Sequence, residues 1–218
     1  MSKPTLRTTL LLFVVLFGSV NFLRAQNVSP YVGFGTVRDS VGTSTAQGCP
    51  SGQLFDGNIC EAGPTLGGLF GTAGVDFMFR KHLGVSGEYT FRFSRAPYLP
   101  SDGLNMRPSF YDINALWQPF SGMRFVPFLE GGIGAARVAL SFNPSAATGL
   151  TTAPSLPTGM NPSYFQLHFA VGVKVYVHGR IFVKPEFDLR YLPRLKNQFG
   201  RDTVLQFGGA VGYTFGRR

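Results

Sequence analysis

Hydrophobic and polar residues alternate along most of the chain with a period of two residues. The segment IFVKPEFDLRY (181–191) shows this most clearly, because one face is apolar throughout. The opposite face carries Phe182, Lys184, Glu186, Asp188 and Arg190. A helix would scatter these four charges around its circumference, and Pro185 would break it. The alternation therefore predicts a β-strand with two unlike faces.

Seven other segments follow the same pattern. The alternation is clear in some of them and is interrupted by glycine in the rest. The eight predicted strands span residues 30–38, 65–79, 83–93, 109–118, 124–142, 164–177, 181–191 and 204–215. In the fifth of them, Arg137 breaks the parity set by Glu130. A β-bulge and an early end of the membrane span both remain open there.

The links between these strands alternate strictly between short and long. The short links are 80–82, 119–123 and 178–180, and the longer ones are 39–64, 96–108, 143–163 and 193–202. Transmembrane barrels pair short periplasmic turns with long extracellular loops. The pattern predicts an all-β fold, an eight-stranded antiparallel transmembrane β-barrel with both termini on the periplasmic side.

Composition indicates whether the apolar face of the strands meets lipid or the barrel interior. Charged residues make up 14% of the chain, against about 25% in soluble domains, while it contains 22 Phe and 28 Gly. A secreted, lipocalin-like barrel would instead put the apolar face inside and the charges outside. The low charge content and the alternating link lengths favour the membrane barrel, with the continuous apolar face in lipid.

The charged face must then point into the barrel. An eight-stranded barrel is only wide enough to be filled by side chains, and buried charges must be paired. The predicted lumen network consists of Glu88, Arg92, Glu130, Lys174, Lys184, Glu186, Asp188 and Arg190.

The first 25 residues have the features of a secretory signal peptide. Lys3 and Arg7 precede the unbroken apolar run 10–17, and cleavage is expected after Ala25. The apolar run is shorter than the roughly 20 residues of a transmembrane helix. We therefore expect a signal peptide at 1–25, a barrel domain at 26–218 and a location in the bacterial outer membrane.

The two cysteines, Cys49 and Cys60, both fall in the long link 39–64. In an exported chain such a pair is predicted to form a disulfide. A metal pair is disfavoured, since no histidine or third cysteine lies nearby.

Three segments carry a family resemblance: PFLEGGIGAARV (127–138), VKPEFDLRYLPR (183–194) and the aromatic ending AVGYTF (210–215). They resemble the small outer-membrane barrels related to outer-membrane protein A and outer-membrane protein X, here without a peptidoglycan-binding domain. The resemblance implies that Tyr213 and Phe215 belong to an assembly signal read by the barrel-assembly machinery. It also implies outer-membrane lipid as a partner.

The sequence predicts no catalytic residue, cofactor or metal site. The three histidines are far apart, and His168 is assigned to the lumen network. The formal charge of +9 is scattered rather than clustered, which disfavours nucleic acid as a partner. The expected role is structural or adhesive, with an extracellular ligand reached through loops 39–64 and 143–163. The alternatives are a narrow porin-like channel and a lipid-modifying enzyme of the outer membrane.

Overall fold

The computed structural model describes residues 27–38, 53–56, 59–62, 66–99, 104–142, 163–193 and 202–216. No helix long and apolar enough to cross a membrane occurs among them. The strands are β1 (Asn27–Arg38), β2 (Gln53–Asp56), β3 (Ile59–Ala62), β4 (Gly68–Met78), β5 (Leu83–Arg92), β6 (Ala96–Leu99), β7 (Leu104–Trp117), β8 (Phe125–Phe142), β9 (Ser163–His178), β10 (Ile181–Tyr191), β11 (Thr203–Tyr213) and β12 (Phe215–Gly216).

Eight of these strands close into a barrel. Neighbours pair antiparallel in the order β1, β4, β5, β7, β8, β9, β10 and β11, and β11 returns to β1. The closing ladder runs from Tyr31 opposite Gly212 to Arg38 opposite Leu205. Closure pairs the backbone groups that an open sheet would leave exposed at its edges, as a membrane requires. The predicted eight-stranded antiparallel barrel is confirmed.

The barrel has two different ends. Short turns at 79–82, 118–124 and 179–180 join consecutive strands at one end, which we call the turn end. Gly179 occupies the last of these turns with φ of 55°, a conformation that favours glycine. The other end, which we call the loop end, carries the longer links, including the β2–β3 hairpin between β1 and β4.

One predicted link is wrong in extent. Residues 96–108 contain three prolines and are predicted to form a loop, but β7 begins at Leu104, and β6 pairs with its first residues. Pro108 lies inside β7, buried and opposite Val138. Its partner strand β8 runs on to Phe142, so the ladder extends into the residues predicted to form the link.

The open question at Arg137 is answered by the register of β8. Pairing with β7 and with β9 continues without a shift through Arg137. The side chain of Arg137 simply points outward at the loop end, where it is exposed. A register shift occurs instead beside the last short turn, between Ile181 and Phe182.

The barrel is apolar outside and charged inside. Ile113, Phe34 and Val32 on the outer face are 72, 68 and 66% exposed, whereas Lys184, Asp188 and Arg190 are fully buried. A protein in water shows the reverse, so the outer face is built for lipid. This burial also rules against the lipocalin-like arrangement.

The lumen is not polar along its whole length. At the loop end a buried apolar cluster fills it, and this loop-end cap consists of Val37, Leu66, Phe70, Ala96, Met106, Phe110, Ala136, Val138, Leu192 and Val204. At the turn end two smaller clusters form a turn-end cap of Tyr31, Val126, Tyr176, Phe182 and Ala210 with Met78, Leu116 and Phe128. Arg190 lies between the two caps, whereas Lys174 and Lys184 lie opposite Val126 and Ala210 of the turn-end cap.

Two predictions fall on residues that the structure does not describe or describes in part. Residues 1–26 lie outside the described ranges, so the signal peptide stays a prediction. Cys60 lies in β3, opposite Phe55, but Cys49 lies outside the described residues. The Cys49–Cys60 disulfide is therefore untested.

Candidate functional site: the charged lumen

Charged side chains from six of the eight barrel strands meet in the middle of the lumen. The buried carboxylates are Asp76, Glu88, Asp112, Glu130, Glu186 and Asp188, and the buried cations are Lys174, Lys184 and Arg190. Glycine makes room for them on the inward face. A Cβ atom on Gly132 would overlap Asn114, and one on Gly134 would overlap Asp112.

Lys184 is enclosed by two carboxylates and two aromatic rings. Its Nζ lies 2.8 Å from Glu186 Oε2 and 3.1 Å from Glu130 Oε1. The same nitrogen sits 4.2 Å from the ring centroid of Tyr31 and 4.7 Å from that of Phe128. Cation–π contacts therefore add to the ion pairs and fix the ammonium above the turn-end cap.

Glu130 connects this cluster to neutral donors. Its second oxygen, Oε2, accepts a 2.5 Å hydrogen bond from Ser86 Oγ and a 3.2 Å bond from Asn114 Nδ2. The buried carboxylate thus has partners on both oxygens, as the low dielectric of the lumen requires.

Arg190 forms the second centre of the lumen. Its guanidinium donates to Glu88 Oε1 at 2.9 Å, to Asp112 Oδ2 at 3.2 Å and to Gln206 Oε1 at 2.8 Å. The group also lies 5.0 Å from the ring centroid of Phe110 in the loop-end cap. Arg190 therefore ties four strands together, since these partners come from β5, β7 and β11.

The third ion pair lies nearest the turn end. Lys174 Nζ is 2.6 Å from Asp76 Oδ2, and both side chains are buried. Below it, Thr214 bridges Ser29 and Tyr176 through hydroxyl hydrogen bonds of 2.9 and 3.0 Å. These contacts connect the residue between β11 and β12 to β1 and β9.

His168 lies within the network with both ring nitrogens engaged. Nδ1 is 3.0 Å from Asn114 Oδ1, and Nε2 is 3.2 Å from Asp188 Oδ1. One oxygen each of Glu88 and Asp112 and one nitrogen of His168 lie within 4.8 Å of each other. Arg190 donates to both of these carboxylates, so the cluster is explained as an ion-paired centre.

Of the eight residues predicted for the network, seven lie buried in the charged layer. Arg92 is the eighth; it is half-buried at the loop end, with its guanidinium against Gly68. Asp112, which the alternation already places on the lumen face, and Asp76 complete the ion pairs. Asp76 stands between Val75 and Phe77 on an inward position of β4, a signal that alternation could have identified.

The proposed assembly residues lie at the turn end of the final strands. Tyr213 and Phe215 point outward, 39 and 54% exposed, with ring centroids 4.7 Å apart. Phe215 pairs with Val28 of β1 through β12. Their recognition by the barrel-assembly machinery stays a prediction.

Comparison with solved structures identifies proteins of similar fold. The chain matches Neisserial surface protein A at a TM-score of 0.54 and 11% identity, over 87% of this chain and 96% of that one. It matches the N-terminal barrel domain of Pseudomonas aeruginosa OprF at 0.51 and 12% identity, over 87% and 98%. The outer-membrane protein OprG from Pseudomonas aeruginosa gives 0.51 and 12% identity, over 89% and 98%.

No family model and no curated protein sequence matches this chain. At these identities the structural similarity concerns the fold, which is that of the small outer-membrane barrels. The fold and the apolar outer face together support the predicted location in the bacterial outer membrane.

Proposed function

We propose that this protein is a closed, non-conducting outer-membrane barrel that presents its long loops at the cell surface for interaction with other molecules. The filled lumen is the observation that supports the proposal most strongly. Three ion-paired cations and the two apolar caps occupy the described part of the lumen.

A narrow channel fits this interior poorly. A conducting path needs a continuous wetted route, whereas Phe70, Met106 and Phe110 are fully buried in the loop-end cap. An ion entering the lumen would also have to displace Arg190 from two carboxylates, and breaking such a buried pair is costly.

Planar-bilayer recording tests the closed state. We expect no steady conductance steps from the refolded full-length protein. Regular, long-lived steps in most insertions would overturn the closed barrel and support the channel alternative.

The histidine–carboxylate pair found among the described residues does not support an enzymatic role. His168 and Asp188 are both fully buried, and their hydrogen bonds stay within the network. A lipid-modifying enzyme needs such groups where a lipid can reach them. We expect no phospholipase activity above that of the His168→Ala variant, and a difference between the two would support the enzyme alternative.

The loops are proposed to carry the interaction because buried side chains fill the described part of the lumen. Replacing residues 143–162 with a short turn should leave the barrel folded, since the described ladders of β8 and β9 end at Arg137 and Ser163. Heat-modifiable gel mobility checks the fold. Attachment of cells expressing each form to a surface coated with extracellular matrix then tests the loops, and equal attachment would contradict their role.

A further inference from the structure

The outer face carries a groove bordered by arginines, and its two parts adjoin each other. The first part is an apolar groove of about 790 Å³ across β4, β5, β7, β8 and β9. The second is a smaller recess of about 370 Å³ toward the loop end, and it contains the arginine side chains. Tyr89 and Tyr111 line both parts.

Small residues create the apolar part. Gly87 lies between Val75 and Ile113 in the strand register, and a Cβ on Gly87 would meet no atom within 4 Å. The stacked rings of Tyr89 and Tyr111, 4.8 Å apart, stand beside this gap. The result is a depression in a face otherwise covered by large side chains.

The basic part contains Arg107 and Arg137. Both side chains are exposed on the outer face, and they lie diagonally across the β7–β8 pair, where Arg107 faces Ala139 and Arg137 faces Ser109. None of the described carboxylates forms an ion pair with either arginine, since the carboxylates of the barrel strands point into the lumen.

The depth of these arginines matches the headgroup region. Ten residues of β7 separate Trp117 at the turn end from Arg107. At about 3.3 Å per residue and a tilt of about 40°, this distance is about 25 Å along the membrane normal, the height of the apolar band. Arg107 therefore lies where lipid phosphates are found, and the groove below it lies in the hydrocarbon region.

We propose that this composite surface is a binding site for a phosphate-bearing lipid of the leaflet at the loop end. Arg107 and Arg137 hold the phosphate, because guanidinium groups form strong bidentate hydrogen bonds with it. One acyl chain passes Tyr89 and Tyr111 and fills the depression at Gly87. Ser109, in the same recess, supplies a hydroxyl near the headgroup.

Native mass spectrometry of the folded, detergent-solubilised full-length protein tests the site. The two probes are phosphatidic acid and diacylglycerol with the same acyl chains, which differ only in the phosphate. We expect the wild-type protein to retain one phosphatidic acid molecule and to bind diacylglycerol about tenfold or more weakly.

Matched variants separate the two parts of the site. Arg107→Gln with Arg137→Gln removes the charge, and Arg38→Gln removes another exposed loop-end arginine on β1. Gly87→Leu fills the groove, and Gly209→Leu adds the same side chain at an outer-face glycine on β11 that also has open space. We expect about tenfold weaker retention for the double Arg variant and for Gly87→Leu, and no change for the two controls.

Before the variants are compared, heat-modifiable gel mobility checks that each of them is folded. Equal retention of both lipids by the wild type would overturn the proposal, as would equal effects of the site variants and their controls. Retention of a second copy of the chain in place of lipid would also overturn it.

Discussion

Strand β10 presents the two faces of this protein side by side. Lys184, Asp188 and Arg190 are fully buried, while Ile181 and Val183 on alternate positions are 43 and 38% exposed. In a soluble domain the same strand would bury its apolar face and expose its charged face to water. The comparison shows that charged side chains can be buried in this barrel because they are ion-paired. Each buried cation has a carboxylate partner within 3.2 Å.

The lumen face and the lipid face should therefore respond to opposite kinds of substitution. Removing a charge inside leaves its partners unpaired in a low dielectric. Adding a charge outside places it in hydrocarbon. Each of the following experiments compares one position with a control on the other face or at another depth.

The largest effect is expected inside, at Arg190. Arg190→Met keeps much of the volume but leaves Glu88 and Asp112 without their cation. We expect a loss of about 3–5 kcal/mol in the free energy of unfolding. Urea titration of the protein in phospholipid vesicles, followed by gel mobility, measures it.

Arg38→Met is the control on the outer face at the loop end, and it should change the stability by about 1 kcal/mol or less. If both variants lost the same free energy, the ion pairs of the lumen would not be what stabilises the barrel.

A smaller loss is expected from a charge added to the lipid face. Ile113 is 72% exposed near the middle of β7, so Ile113→Arg should cost about 2–4 kcal/mol in a bilayer. The same change at Val177, which is 57% exposed at the turn end, should cost about 0–1 kcal/mol. A neutral Ile113→Arg, as expected on a water-exposed surface, would argue against lipid contact.

The smallest loss of stability is expected from glycine substitutions, and two glycines of β11 should differ in it. A Cβ on Gly212 would overlap the ring of Phe182 and the carbonyl of Pro30, whereas one on Gly209 would meet no atom within 4 Å. Gly212→Ala should destabilise by about 1–3 kcal/mol through overpacking. Gly209→Ala should stay within about 0.5 kcal/mol of the wild type, and the reverse order would mean that the inward and outward faces of β11 are misassigned.

Much of this architecture can be read from period-two alternation, because each strand has one face for lipid and one for the lumen. The extension of β7 could not be read in this way, since Pro97 and Pro108 resemble loop residues until the ladders of β7 with β6 and β8 are known. The individual ion pairs could not be predicted from the sequence pattern either. Glu88 and Arg190 are 102 positions apart, and their contact depends on register and barrel closure.

The apolar caps were missed for a related reason. Phe70, Phe110 and Leu192 share the inward parity of the charged residues but lie closer to the loop end of the barrel. Alternation identifies which face a side chain occupies and does not give its depth in the lumen. Depth follows from the strand register, which the sequence pattern alone does not specify.

The lipid face is tested most directly by the chain's single tryptophan, Trp117, which is 46% exposed on the outer face at the turn end of β7. Its fluorescence can be measured in the wild-type protein, in vesicles of phosphatidylcholine with or without brominated acyl chains. An outer face in lipid predicts strong quenching by bromine, greatest for bromines near the headgroup, where aromatic girdles lie. Unchanged fluorescence in brominated vesicles, together with full quenching by aqueous iodide, would contradict the membrane-spanning barrel.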